Sequence, residues 1–424
     1  MPSKTLAKQA RDKVVVSRSR ILCRSLLSLL CAPAIALSQG AVDPADPVPE
    51  AGTPNNQSGF LQVYVNNVEN LTGPDAPKCA DNNPQALLNY IKATTHIPDI
   101  FIAQQINGGV VSPATKPAVD SRGLASTYAE MLSRTFGEEY GWVVSEDAPK
   151  TQKVPCKAAA SLKRYQTNAI FYRLKRLQPA KKDFKATFQF RELSNCSVAP
   201  DRDDPEYQSR TVAVRAIFKD LKSKDRTVAV ASLHWPTSEQ YLNTEHCRIK
   251  NVDELDQQLR TGITTGANLY VAGGDLNQHD RAGNAPGAAW DSWYRWINYH
   301  LSDPTTDTRP APGFLPYIDP IYDRCRRAYP TTNQENQLRT CLVQHHQTLG
   351  DAPEGNSRYD FLFARLGNGA IPKVSHADTV SWLDVGTPAD EPYSEHRAVR
   401  SRIYYCSSPQ QTRDAQGRSE WACL

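Results

Sequence analysis

The 424-residue sequence has no apolar run long enough to cross a membrane comfortably; the one near its N-terminus is too short. It has no Cys-x-x-Cys pair, which removes the usual signature of a zinc site, and no internal repeat, which removes solenoid and propeller architectures. It also lacks a charge excess once the first forty residues are set aside. These hold seven of the 49 Lys and Arg but only one of the 45 Asp and Glu, so the formal net charge falls from +4 to −2. A chain so balanced does not adhere broadly to nucleic acid through charge alone. What remains is the composition of a folded globular protein, with 22 % charged and 40 % hydrophobic residues. The length suits one large α/β domain or two ordinary ones.

The N-terminus reads as an export signal. Lys4, Lys8, Arg11, Lys13, Arg18, Arg20 and Arg24 precede "SLLSLLCAPAIALS", in which Ala34 and Ala36 are small residues placed for cleavage. We expect a signal peptide over 1–38, a Pro/Asp/Asn-rich linker over 39–58, a main domain over 59–405 and a C-terminal tail over 406–424. Residues 301–356 read as a Pro-rich insertion in that domain. Eight cysteines follow the signal, and an even number in an exported chain suggests disulfides. Spacing cannot choose among the pairings; the two local ones, Cys325–Cys341 and Cys406–Cys423, are expected. Basic clusters at 157–185 and 324–327 read as solvated surface or, more sharply, as a phosphate-facing rim.

Strand-like runs dominate the rest. "FLQVYVNNVENL", "PDIFIAQQI", "YGWVVSED", "TNAIFYRLKRL", "FKATFQFREL", "RTVAVRAIFKD", "RTVAVASLHWPT", "ANLYVAGGDLN", "SRYDFLFAR" and "HRAVRSRIYYC" are short, apolar and rich in β-branched and aromatic residues. Several short connections suggest antiparallel neighbours. "PQALLNYIKATT", "STYAEMLSRTFG" and "RIKNVDELDQQLRTG" have helical spacing. "AAWDSWYRWINY", with Trp290, Trp293 and Trp296 three apart, reads as a packed helix in preference to an exposed aromatic hairpin for lipid. The mixture predicts an α/β layered fold with mixed sheets.

The chemistry lies at the ends of these runs. In "VAGGDLNQ" a period of two sets Asp275 and Asn277 on one side of an extended chain and turns Leu276 to the core. Gly273 and Gly274 allow a bend or the approach of a ligand. Asn67 and Glu69 close the first run, Gln105 the second, Asn168 opens "NAIFYR", His234 ends "ASLHWP", Asp360 lies in "SRYDFLF" and His396 in "SEHRAV". Any one of these is an ordinary turn or surface residue; the ordered set is not.

That set, "NNVENL", "PDIFIAQQI", "NAIFYR", "ASLHWP", "GGDLNQ", "SRYDFLF" and "SEHRAV", resembles the endonuclease/exonuclease/phosphatase superfamily, the DNase I-like metal-dependent phosphodiesterases, over residues 60–405. The resemblance implies a four-layer sandwich, two mixed β-sheets flanked by helices, with the site where strand ends converge. It implies that Asp275 and Asn277 hold the scissile phosphate and the attacking water. His396 acts as general base or stabilises the phosphorane, oriented by Asp360. His234 contacts a phosphate oxygen, and Asn67 and Asn168 complete the network. The metal is Mg²⁺ or Mn²⁺, but the expected Glu is Gln105 and the Asp before the last His is Glu395. Weakened metal binding is therefore expected, with Glu395 as the main ligand and Gln105 as a weak or water-mediated one. The expected protein is an exported monomer hydrolysing nucleic acid. A lipid phosphodiesterase or phosphatase, or a non-catalytic binding module, are the alternatives.

Overall fold

The computed structural model describes residues 51–71, 83–107, 121–144, 166–180, 187–189, 212–224, 226–235, 244–278, 280, 289–302, 314–346, 358–387, 393–413, 417 and 419–423. The expected signal and most of the linker lie outside these, as do Cys79, Cys156 and Cys196. Along the chain the strands are β1 (Phe60–Leu71), β2 (Ile100–Asn107), β3 (Tyr140–Val144), β4 (Gln166–Arg173), β5 (Leu177–Pro179), β6 (Thr187–Gln189), β7 (Val212–Asp220), β8 (Arg226–His234), β9 (Leu269–Asp275), β10 (Asp360–Leu366), β11 (Val374–Val380), β12 (Ala398–Tyr404), β13 (Gln410–Arg413) and β14 (Ser419–Ala422). The helices are α1 (Pro84–Thr94), α2 (Ser121–Phe136), α3 (Thr244–Arg260), α4 (Ser292–Ile297), α5 (Pro320–Ala328), α6 (Glu335–His346) and α7 (Trp382–Val385).

Two mixed sheets result. The first runs β11-β12-β1-β2-β4-β3 and the second β10-β9-β8-β7-β5, with β6 also on β7. In each, one parallel pair lies among antiparallel ones: β1 with β2, and β8 with β9. Alternation along the strands divides their side chains between two cores. Val63, Val65, Ile100, Ile102 and Val399 of the first sheet pack with Val228, Val230, Val271 and Leu362 of the second. The other face of the first sheet, through Tyr64, Phe101, Ala103 and Phe171, packs with α1 and α2. α1 starts where it does because Asn83 accepts the Ala86 N–H and Pro84 follows in the first turn; Leu87, Leu88 and Ile91 then fall on one buried face. The tryptophan stretch is indeed a packed helix. In α4, Trp293 is fully buried and meets Phe361 edge to face at 5.2 Å.

The glycine pair has a packing role. A Cβ on Gly273 would lie 2.5 Å from Val65 Cγ2. Gly274 has φ +154°, and a Cβ there would lie 1.9 Å from the Leu233 carbonyl. Only glycines let β9 run this close to β1 and β8.

Several of the expected segments take on definite structure. Residues 301–356 contain two helices, α5 and α6, stapled by the expected Cys325–Cys341 disulfide. The expected tail forms the β13–β14 hairpin, held by Cys406–Cys423. "NAIFYRLKRL" breaks into β4 and β5, because Arg173 and Arg176 turn inward. They are buried in ion pairs with Asp99 at 2.8 Å and Asp220 at 2.7 Å, so neither faces a phosphate. Arg324 and Arg327, nearer the surface, pair with Asp378 and Asp323.

Candidate active site

Register brings the polar strand ends to one edge of the sandwich. His234 and Asp275 are neighbours at the ends of parallel β8 and β9, and Asp360, starting antiparallel β10, stands opposite Asp275. In the other sheet Asn67 stands beside Gln104. β12 begins just after His396, antiparallel to β1, so the histidine arrives at the same edge.

Asp275 is the centre. Its Oδ2 accepts from Asn67 Nδ2 at 2.9 Å and lies 3.4 Å from His234 Nε2 and 3.7 Å from His396 Nε2. Its Oδ1 accepts the Asn277 N–H at 2.9 Å. His396 Nδ1 is 2.8 Å from Asp360 Oδ2; a carboxylate only accepts, so Nδ1 carries the proton and Nε2 is left with its lone pair toward Asp275. Asp275, Asp360, His234, His396 and Asn67 are all buried, which shields these contacts from water and strengthens them.

Asn277 reaches the site by a turn and not by strand alternation. The strand stops at Asp275, Asn277 has φ +49°, and its Nδ2 donates to the Trp235 carbonyl at 2.8 Å. Asn168 lies on β4 opposite Gln104 and Gln105, a two-against-one register. Gln105 has φ +57° and is buried. Glu395 differs from expectation: it is exposed, between buried Ser394 and His396. Among the described residues the compact acidic and histidine group is Asp275, Asp360 and His396, with donor atoms within 4.8 Å of one another. Glu395 is not in it. The side chain of Glu69 lies outside the described residues.

The sequence reading passed over the groups that hold this arrangement. Ser394 Oγ donates to the Asn67 carbonyl at 2.6 Å and accepts the His396 N–H at 3.2 Å, stapling β1 to the approach to β12. Asn66 Nδ2 donates to the His396 carbonyl at 3.1 Å. Tyr393 donates to the Val380 carbonyl and accepts from Ala398 N–H, and burial pushes its hydroxyl pKa well above the usual range. Arg358 donates from Nε to the Asp360 carbonyl and clamps Asp319 with both terminal nitrogens. Burial opposes the charge on Arg358, but Asp319 outweighs it and holds the guanidinium pKa above its ordinary value. Ser394 was visible beside "EH", and Arg358 beside "YD"; what each would touch depends on the other strands.

The chain is similar to solved endonuclease/exonuclease/phosphatase structures. One, from Beutenbergia cavernae, is 13 % identical over 85 % of this chain and 76 % of that one, with a TM-score of 0.49. Another, from Bacteroides vulgatus, is 14 % identical over 81 % and 98 %, with a TM-score of 0.42. A third, Danio rerio TDP2 complexed with a single-strand DNA product, is 14 % identical over 81 % and 98 %, with a TM-score of 0.44. No family model and no curated protein matches the sequence. The likeness is one of fold; what the edge can do is set by its own residues.

Proposed function

We propose that this chain is an exported, divalent-metal-dependent phosphodiesterase that hydrolyses nucleic acid, working as a monomer. The observation that carries the reading is the Asp360–His396 pair aimed at Asp275 beside His234 and Asn67. Hydrolysing a phosphodiester requires a base for the attacking water, counter-charge for the phosphoryl oxygens and a proton for the leaving oxygen. Asp275 orients the water and takes its proton as the new P–O bond forms. Asn67 and the backbone N–H of Asn277 hold that carboxylate in place. His234 flanks it and donates to a phosphoryl oxygen, and Asp360 keeps the His396 ring in one orientation, with the Nε2 lone pair toward Asp275. As the old P–O bond breaks, the proton that Asp275 took from the water passes to His396 Nε2 and on to the departing oxygen, which leaves both side chains as they began.

The donor set suits a hard divalent ion. Asp275 and Asp360 offer carboxylate oxygens, and Gln105 Oε1 is a buried carbonyl that accepts no hydrogen bond among the described residues. Asp275, Asp360 and Gln105 would hold Mg²⁺ or Mn²⁺, with exposed Glu395 in a lesser part. The ion would supply positive charge for the phosphoryl and leaving oxygens. The neutral amide of Gln105 makes its binding weaker than a glutamate would.

Nucleic acid is favoured over lipid because Trp293 and Trp296 are buried and Trp290 is partly so, which leaves the tryptophan stretch unable to enter a bilayer. No described helix is long and apolar enough to cross a membrane. Export is supported by the N-terminal sequence and by the Cys325–Cys341 and Cys406–Cys423 disulfides. The test is to offer purified protein plasmid DNA, RNA and sphingomyelin vesicles with Mg²⁺, Mn²⁺ or EDTA. Cleavage of DNA or RNA that EDTA stops is expected; turnover of the vesicles alone would move the reading to lipid.

A further inference from the structure

β2 does not run straight into the site. In its pairing with β4, Ala103 faces Ala169 and Ile106 faces Thr167, so Gln104 and Gln105 together stand opposite Asn168. An extra residue of this kind bends a strand and re-aims the side chains at the bend. Gln105 is left-handed there, with φ +57°, a conformation that a residue with a Cβ keeps only when its surroundings hold it.

Two hydrogen bonds do so, and both cross the sandwich. Gln104 Nε2 donates to Ser232 Oγ at 3.0 Å, and Ser232 Oγ donates to the Ala103 carbonyl at 3.0 Å. Gln104 and Ser232 are fully buried. Ala103 and Gln104 belong to the first sheet, and Ser232 belongs to β8 of the second, two residues before His234. Ser232 stands on a β8 face whose neighbour Val230 is apolar, so a hydroxyl there is not explained by packing. It is explained by what it bonds. The carbonyls of both glutamine side chains, Gln104 Oε1 and Gln105 Oε1, are buried without a hydrogen-bond partner among the described residues.

We propose that Gln104 and Ser232 are positioning residues. Their clasp fixes the bulge, thereby directs the Gln105 amide into the site, and sets the spacing between β2 and the strand that carries His234. In one respect this rests on the preceding reading, that Gln105 meets a divalent ion.

Ser232→Ala removes the shared hydroxyl without adding volume, and Gln104→Met breaks the same bond from the other side. Each is compared with the wild-type chain by amide hydrogen exchange over residues 100–107 and by Mn²⁺ titration calorimetry. Both variants are expected to quicken exchange in that segment and to weaken Mn²⁺ binding by about tenfold. In a Gln105→Ala background, adding Ser232→Ala is expected to cause no further loss of affinity. Unchanged exchange over 100–107 would overturn the clasp. An equal loss of Mn²⁺ affinity in both backgrounds would overturn its link to Gln105. If the wild-type chain takes up no Mn²⁺ while exchange still quickens, the metal reading fails and the clasp stands.

Discussion

Replacing Asp360 by Asn keeps the shape of the side chain and removes its charge from a contact sealed off from water. The bond to His396 Nδ1 is 2.8 Å long, and Asp360 is fully buried. An asparagine facing Nδ1 can present its amide nitrogen, which drives the ring proton onto Nε2, the atom that now points its lone pair toward Asp275 at 3.7 Å. It can instead present its carbonyl, which keeps the tautomer but loses the charge assistance. The lost charge-assisted bond costs stability of about 1.5–3 kcal/mol, a fall of a few degrees in melting temperature for a domain of this size. The catalytic loss is larger. In enzymes where a buried carboxylate orients a histidine, the amide replacement lowers turnover by up to about 10⁴, so a kcat lower by about 10²–10⁴ is expected here. KM should move little, because the contact acts on the ring and not on bound substrate. Steady-state hydrolysis of bis(4-nitrophenyl) phosphate, with a thermal melt on the same preparation, reads both quantities. A folded Asp360→Asn protein whose kcat stays within about threefold of wild type would refute the assignment of Asp360 as the group that orients His396.

Asp99→Ala is expected to destabilise the fold by about 3–5 kcal/mol in urea titration, because it strands Arg173, which is 1 % exposed, without its carboxylate. Gly274→Ala puts a Cβ 1.9 Å from the Leu233 carbonyl and is expected to cost at least about 2 kcal/mol by the same titration; a neutral result would mean that β9 and β8 are less closely apposed. Gln105→Glu should lower the Mg²⁺ concentration for half-maximal activity several-fold, whereas Glu395→Gln, at an exposed position, should change it by less than about twofold. The reverse order would return the main ligand role to Glu395.

Much of this was legible because strand ends carry local signals. "AVASLH" and "LYVAGGD" are apolar runs that stop on a titratable group, and that pattern placed His234 and Asp275 before any register was known. The two local disulfides, Cys325–Cys341 and Cys406–Cys423, are the pairs expected among the eight cysteines, although spacing alone does not select them. β11, "VSHADTV", escaped notice because His376 and Asp378 interrupt its apolar alternation, and it is a strand by virtue of pairing with β12. The β13–β14 hairpin escaped because its sequence is polar and a disulfide holds it. The left-handed backbones of Gln105 and Asn277 were not foreseeable, since neither is glycine. The Gln104–Ser232 bond joins residues 128 apart on different sheets, and no local pattern announces such a contact.

The most direct test of the central claim is hydrolysis of bis(4-nitrophenyl) phosphate by the purified protein in Mn²⁺, wild type beside Asp275→Asn. Asp275 receives Asn67, lies near both histidines and keeps nearly the same volume as an amide. Wild-type turnover that EDTA abolishes, and a folded Asp275→Asn protein slower by at least about 10², is the expected result. A wild-type protein without activity, or an Asp275→Asn protein that turns over like wild type, would contradict the assignment of this edge as a phosphodiesterase site.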